Sequence, residues 1–404
     1  MILRAAWVVP VSLPPIYNGF VRIAGAQIAE VGDGAGPAAA TGDEVLDLGP
    51  VALLPGLINP HTHLELTAYA GQLAPAPFWD WISRLVRLRA AHGQIEREQA
   101  GVRDGAWQSL RAGVTCVGDI SRRNLAWPVL KRVPIRKVCF VELLTLADDP
   151  PRNPDELRAG LDAVEEDALL TAGVSPHAPY TVPAEHIRAA IALAHERRRP
   201  WCTHWSETPE EVAFLAGESV ELPPALSAAM ARCGVSAPRQ APMTYLASCT
   251  AGRGPGVLAH VNYVTPEEIA ALAVAGHPVV YCPRAHRFFG HSPHPFMDMR
   301  RAGVPLAIGT DSAASNENLA LLEELAVLGA AVGGALSADE MLRLVTLDAA
   351  RALGLADQVG SIEPGKQADL AAFPCDAQRD PAGALIAQPP AASAVWVAGE
   401  RVIG

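Results

Sequence analysis

A chain of 404 residues, half of them hydrophobic, is longer than one ordinary domain and has the apolar content for a large core. Its formal net charge of -11 contains no block of like charges, which argues against nucleic acid or an anionic membrane as a partner. The cysteines (Cys116, Cys139, Cys202, Cys233, Cys249, Cys282 and Cys375) lie far apart with no C-x-x-C pair; this fits reduced thiols in a cytosolic protein better than a disulfide framework or a cysteine zinc site.

The opening stretch, "MILRAAWVVPVSLPPIYNG", is apolar enough to raise the question of a signal peptide. Pro10, Pro14 and Pro15 break it, its positive charge is Arg4 alone, and no clear small-residue cleavage site follows. A strand and a proline-rich turn are expected there. Nowhere is an apolar run long enough to cross a bilayer, so a soluble, cytoplasmic protein is expected. Residues 1–54 continue as short strand-like pieces with glycine turns, such as "GFVRIAGAQIAEVGDG".

The rhythm then changes. Short apolar, often β-branched runs alternate with helical patterns, as expected of parallel strands joined by helices. The runs are "LLPGLINPH" (53–61), "GVTCVGDI" (113–120), "IRKVCFVELL" (135–144), "TAGVSPH" (171–177), "PWCTHW" (200–205), "GVLAHVNYV" (256–264), "HPVVYCP" (277–283) and "VPLAIGTDS" (304–312). Thr208-Pro209-Glu210-Glu211 and Thr265-Pro266-Glu267-Glu268 read as capping boxes with proline at the first helical position, and Ser337 to Glu340 as a third box. Strand–helix units repeated in this way predict an α/β fold, a (β/α)8 TIM barrel over 55–355; such barrels take roughly 250 residues. Two long segments, 64–100 and 217–255, interrupt the alternation. Residues 356–404, ending in "SAVWVAGERVIG", return to short strands and are expected to join 1–54 in one composite β domain.

In such a barrel the C-terminal ends of the strands meet at one face and build the active site. His61 and His63 end the first predicted strand, where i and i+2 side chains project together. His177 ends the fourth, His204 and Glu207 the fifth, and Asp311 the eighth, while His260 sits late in the sixth. Each has a plainer reading alone. His260 could be a hydrogen-bonded core histidine, Asp311 a turn cap, His177 a cap before Pro179, and Glu207 part of a helix's first turn. Together they fall at one end of their strands, and burying so many polar groups without a compensating ion would be costly. His61, His63, His204 and Asp311 are therefore expected to hold one divalent metal and leave a position open for water. Imidazoles with one carboxylate suit Zn²⁺, with Fe²⁺ or Mn²⁺ as alternatives.

The stretches "PGLINPHTH", "AGVTCVGDI", "THWSE", "LAHVNYV", "IGTDSAASN" and "SIEPGKQADLAAF" resemble, in order and over nearly the whole chain, the motifs of the amidohydrolase superfamily. The match follows its cytosine deaminase, chlorohydrolase and adenosine-analogue deaminase branch. The resemblance implies a β-sandwich for the composite domain. Relatives with two metals carry a carbamylated lysine at the end of strand 4; "AGVSPHAPYT" has His177 there, which implies one metal. It also implies that Glu207 shuttles protons, that Asp311 binds metal and helps deprotonate water, that His260 hydrogen-bonds the incoming oxygen, and that His177 contacts substrate.

The substrate expectation rests on two stretches. "CPRAHRFFGHSPHPF" stands where many adenosine-type deaminases have an asparagine-rich element, and adds Arg284, His286, Arg287 and His291. Arginine suits a forked grip on a carboxylate, which points to an anionic substrate. "PFWDWISRLVRLRAAHG" places Phe78, Trp79, Trp81, Arg84 and Arg87 on a helix that either forms a lid or packs on the barrel. Together they resemble the aminodeoxyfutalosine deaminases, which implies 6-amino-6-deoxyfutalosine, an adenine compound carrying a carboxylate on the route to menaquinone. The alternatives are an S-adenosylhomocysteine or methylthioadenosine deaminase, a guanine deaminase, a triazine-type chlorohydrolase, or a metal-bound barrel that binds without turnover. A homo-oligomer is compatible with the sequence.

Overall fold

The computed structural model describes residues 1–34, 36 and 44–404; positions 35 and 37–43 of the expected composite domain lie outside the described residues. Both chain ends meet in one sheet. It contains β1 (Ile2–Val8), β2 (Ile16–Ala24), β3 (Gln27–Asp33), β4 (Val45–Asp47) and β5 (Val51–Pro55). The strands near the other end, β14 (Leu370–Pro374), β15 (Ala394–Val397) and β16 (Glu400–Ile403), join it through β5, with Leu370 opposite Pro55 in an antiparallel register. The spatial order is β16-β15-β14-β5-β1-β2-β3, with β4 beside β1.

Between these ends run parallel strands in two four-stranded sheets. One holds β6 (Leu57–Thr62), β7 (Val114–Ser121), β8 (Arg136–Leu143) and β9 (Leu170–Pro176) in sequential order. The other holds β10 (Cys202–Trp205), β11 (Val257–His260), β12 (Val279–Tyr281) and β13 (Leu306–Ile308). Isolated parallel bridges join their edges: Val174 to Trp201, and Thr62 to Asp311. Ile58, Cys116, Val138, Phe140, Cys202, Val280 and Ala307 pack in one buried cluster. Neighbours of opposite parity, such as Leu57, Val117, Cys139, Val141, Leu258 and Val279, pack in another that includes the surrounding helices. That alternation follows from the period of two along a strand.

Three expected strands differ in extent. "LLPGLINPH" is divided at Gly56, where the chain leaves the composite sheet and enters β6. A Cβ at Gly56 would stand 2.0 Å from the Thr115 hydroxyl, so only glycine lets the chain pass there. β11 stops at His260 because His260 and Val261 adopt φ of 72° and 50°, outside the extended region. β13 likewise ends at Ile308, short of Asp311, whose φ is 56°.

The two sheet systems are joined by a buried ion pair. Arg136 Nε and Nη2 donate to the Asp369 carboxylate at 2.8 and 3.1 Å, while the Asp369 carbonyl accepts from Gly56 N at 2.8 Å. The long segment after β6 forms a 3-10 helix, Leu64–Tyr69, and the helices Phe78–Arg89 and Gln94–Arg111. The segment before β11 contributes the helices Pro224–Arg232 and Pro242–Thr250. The boxes at Thr265–Glu268 and Ser337–Glu340 close reciprocally. All seven cysteines are free, and no helix among the described residues is long and apolar enough to cross a membrane.

Candidate active site

The site is built where β13 is stitched to β6. Asn59 Nδ2 donates to Thr310 Oγ1 at 2.8 Å, Thr310 N returns a bond to Asn59 Oδ1 at 3.2 Å, and Thr62 Oγ1 donates to the Asp311 carbonyl at 2.9 Å. Gly309 permits this approach, since a Cβ there would lie 2.9 Å from the His61 carbonyl oxygen. Asp311 Oδ1 consequently stands 3.8 Å from both His61 Nε2 and His63 Nε2. Asp119 Oδ1, accepting from Leu64 N at 2.8 Å, fixes the turn that follows His63.

His204 completes the cluster from β10, its Nε2 lying 3.1 Å from His63 Nε2. His204 Nδ1 faces the His177 carbonyl at 2.9 Å, and a carbonyl only accepts, so Nδ1 carries the proton and Nε2 presents a lone pair. Ligand atoms of His61, His63 and Asp311 all lie within 4.8 Å of one another, as do those of His61, His204 and His260. Burial holds the His61, His63 and His260 imidazoles well below their usual range and brings His204 down to about 4, so all four are neutral near pH 7. His61 Nε2 is buried without a hydrogen-bond partner. Neutral imidazoles converging with a carboxylate around an unsatisfied nitrogen fit a divalent cation.

Glu207 stands beside this cluster, Oε1 at 3.5 Å from His260 Nε2. Burial, then the charge of Asp311, pushes its carboxyl well above the usual carboxylate range. Asp311 is itself pushed up to about 6 by burial, against a hydrogen bond from Ser315 Oγ to its Oδ2 at 2.8 Å. The capping box expected at Thr208 differs in detail. Thr208 Oγ1 accepts from Glu211 N at 3.1 Å, but the Glu211 carboxylate turns back to Ser206 N (2.7 Å) and Glu207 N (3.0 Å). That side chain therefore holds the backbone of the candidate proton carrier rather than capping a helix.

The cluster opens into a cavity of about 630 Å³ whose wall includes His63, His204, Glu207, His260 and Asp311. Of the residues expected to touch substrate, His177, Trp79 and Arg87 also line it. The others lie elsewhere. Arg284 is buried, its guanidinium occupied by Glu317 (3.2 Å), Glu323 (3.1 Å) and Asn318 (2.8 Å). His286 donates from Nε2 to the Ser292 carbonyl at 2.8 Å and is outside the wall, as are the exposed Arg84 and Arg287. Pairing with local acids keeps the Arg284 guanidinium out of the cavity, and of the basic loop Phe289 alone lines it. The helix Phe78–Arg89 does form one wall, burying Phe78, Trp81 and Leu85.

Arg122, Glu142 and Tyr180 also line the cavity and were not singled out in the sequence. The signal was present for two of them. Arg122 follows β7 directly and Glu142 stands near the end of β8, so the strand-end rule that found the histidines applies equally there.

The profile of the Amidohydrolase family matches residues 52–402. A 5-methylthioadenosine/S-adenosylhomocysteine deaminase of Teredinibacter turnerae is 31% identical over 376 residues, covering 87% of this chain and 79% of the relative. Its namesake from Moorella thermoacetica is 29% identical, covering 92% and 84%. Among solved structures, an adenosine deaminase from Xanthomonas campestris with bound zinc superposes with a TM-score of 0.84 at 27% identity, covering all of this chain and 92% of that one. The Helicobacter pylori aminofutalosine deaminase in complex with methylthio-coformycin gives 0.85 at 21% identity with full coverage of both chains, a likeness of fold. With a family profile spanning most of its length and a curated relative above 30% identity, this chain belongs to the amidohydrolase family.

Proposed function

We propose that the chain is a hydrolytic deaminase that removes the 6-amino group from an adenine-containing small molecule. One observation carries the reading: neutral imidazoles, one carboxylate and an acid poised to hold a proton share the wall of one cavity. His61, His63, His204 and Asp311 would hold a single divalent cation, zinc by preference. When bound, such a cation lowers the pKa of water to about 7 and so makes a nucleophile available at neutral pH. The two parallel sheets, bridged at both edges, are read as a (β/α)8 barrel over 55–355, and the end-built sheet as a composite β-sandwich domain of 1–54 and 356–404.

The residues then divide the proton work. Glu207, kept protonated by burial, donates to a ring nitrogen and makes the neighbouring carbon electrophilic. Asp311, its Oδ2 held by Ser315, takes a proton from water. His260 hydrogen-bonds the oxygen that adds to the ring; the proton of the added hydroxyl passes through the Glu207 carboxylate to the amine, which leaves as ammonia, and the proton taken up by Asp311 returns Glu207 to its acid form. Tyr180 and Trp79, with ring centroids 5.1 Å apart in the wall, exclude water around the base.

The finer assignment is 6-amino-6-deoxyfutalosine, in a cytoplasmic route to menaquinone. The motif likeness supports it, and Arg87 gives the cavity wall a guanidinium for a substrate carboxylate, whereas Arg122 in the same wall is held by Asp149 at 2.9 Å. A second reading, methylthioadenosine or S-adenosylhomocysteine, is favoured by the names of the sequence relatives. Ammonia release from aminodeoxyfutalosine, methylthioadenosine, S-adenosylhomocysteine and adenosine by the zinc-loaded protein tests both. Turnover of the first alone supports the finer assignment, turnover of the sulfur compounds alone supports the second, and no release from any of the four would sink the deaminase reading.

A further inference from the structure

The loop that follows β12 contains three histidines outside the donor cluster, and two of them, His291 and His294, grip different groups of one short turn. His294 Nε2 donates to the His260 carbonyl at 2.9 Å. Asn262, in the same turn, donates from Nδ2 to the Glu207 carbonyl at 2.9 Å. His291 Nδ1 meets the Tyr263 hydroxyl at 3.1 Å. The loop histidines are themselves anchored. His286 Nε2 donates to the Ser292 carbonyl at 2.8 Å, and His294 stacks on Tyr281 with ring centroids 4.0 Å apart and planes at 24°.

The gripped turn is strained. His260 and Val261 are both non-glycine residues in the left-handed region, and Ser206, next to Glu207, has φ of 50°. Such conformations are disfavoured for residues with a Cβ and persist only where the surroundings over-determine them. Without external bonds, the turn would relax toward extended φ and His260 Nε2 would move from its place 3.5 Å from Glu207. Tyr263 N donates to the Ser206 carbonyl at 3.1 Å and Val261 N to the Trp205 carbonyl at 3.0 Å, so the β10 and β11 ends move as one piece. A grip on one is a grip on both.

We propose that His291 and His294 are positioning residues that clamp the His260–Tyr263 turn, which reaches the Glu207 backbone through Asn262, in the geometry catalysis requires. This rests on the reading of Glu207 and His260 as catalytic residues. His294 bears most of the effect because its bond falls on the His260 peptide itself.

The test compares His294→Phe, which keeps the stacking on Tyr281 and loses the N–H donor, with His294→Gln, which restores a donor. Zinc-loaded proteins are assayed for ammonia release from whichever compound of the panel the wild type turns over. A misplacement of about 1 Å can cost about 100-fold in rate. A fall in kcat of that order in His294→Phe is expected, with KM near the wild-type value, metal content unchanged and substantial recovery in His294→Gln. Wild-type kcat in His294→Phe, a rise in KM that accounts for the loss, or a loss that tracks metal content and is not recovered by glutamine would each overturn the clamp. Glu207→Gln, measured in parallel, separates the two levels: full activity there removes the catalytic reading, whereas inactive Glu207→Gln beside fully active His294→Phe removes only the clamp. A crystal structure of His294→Phe reads the geometry without any substrate. A His260 that leaves the left-handed region and moves off Glu207 supports the clamp, and unchanged φ and separation overturn it.

Discussion

Two buried polar regions share the cavity wall, and they are organised oppositely. At one end the ligand atoms of His61, His63, His204, His260 and Asp311 crowd together, and His61 Nε2 makes no hydrogen bond. At the other, charges alternate in a chain of ion pairs. Glu65 meets Arg89 at 2.6 Å, Arg89 meets Glu98 at 2.8 Å, Glu98 meets Arg123 at 3.2 Å, Asp149 meets Arg123 at 2.8 Å, and Arg122 meets Asp149 at 2.9 Å. The second region pairs opposite charges within the chain and stiffens the wall, although Glu65 Oε2 and Arg122 Nε make no hydrogen bond. The first gathers neutral imidazoles and a carboxylate with no cationic side chain among them, and that missing positive charge marks it as the working end.

The contrast breaks most sharply at the first end. Dialysis against a chelator is expected to take ammonia release to background and readdition of zinc to restore it; activity that survives with no metal in elemental analysis would remove the cation from the reading. Glu207→Gln should cost about 10²–10⁴-fold in kcat, the span of general acid–base catalysis, with bound metal retained. The paired end should respond in stability instead. Arg89→Met leaves Glu65 an uncompensated buried carboxylate and Glu98 with Arg123 as its one cation, expected to cost about 3–5 kcal/mol in urea unfolding. If that variant unfolds like the wild type while losing only activity, the two regions do not differ as argued.

A smaller effect sharpens the boundary between them. Ser315 touches Asp311, the carboxylate proposed to hold the cation, through Oδ2 alone. Ser315→Ala is expected to weaken metal affinity about 10–100-fold, as loss of a ligand's supporting hydrogen bond does, and to leave unfolding of the metal-free protein nearly unchanged. Competition with a chromogenic chelator measures the first, and urea titration the second.

The sequence made the strand ends legible because a strand running into a polar residue is a one-dimensional pattern. His61, His63, His204, Glu207, His260 and Asp311 all follow that pattern, and the structure gathers them. The period-two runs likewise placed each parallel strand within a few residues, except where left-handed residues cut a run short. Pairing was not legible. Nothing in "PRAHRFFGHSPH" says that Arg284 will meet Glu317 and Glu323, more than thirty positions on, because those contacts depend on how a loop and a helix dock. The Glu211 carboxylate was similarly hidden: a capping box and a backbone clamp share the same Thr-x-x-Glu spelling, and only the turn at Ser206 decides between them.

The weakest perturbation bears on the substrate. Arg84 and Arg87 sit on one helix and look alike in sequence, yet Arg87 lines the cavity and Arg84 does not. Helical geometry explains this, since three positions apart at about 100° per residue leaves their side chains some 60° apart around the axis. A carboxylate-bearing substrate should therefore lose affinity in Arg87→Ala, with KM rising severalfold, by the ~0.2–1 kcal/mol of a partly exposed pair. Arg84→Ala should leave both KM and stability within about 0.5 kcal/mol of wild type. Methylthioadenosine has no carboxylate to lose, so its KM should be unmoved by either change. Equal responses of the two arginines, or an Arg87 effect as large on the neutral substrate as on the charged one, would mean that this wall reads shape and not charge.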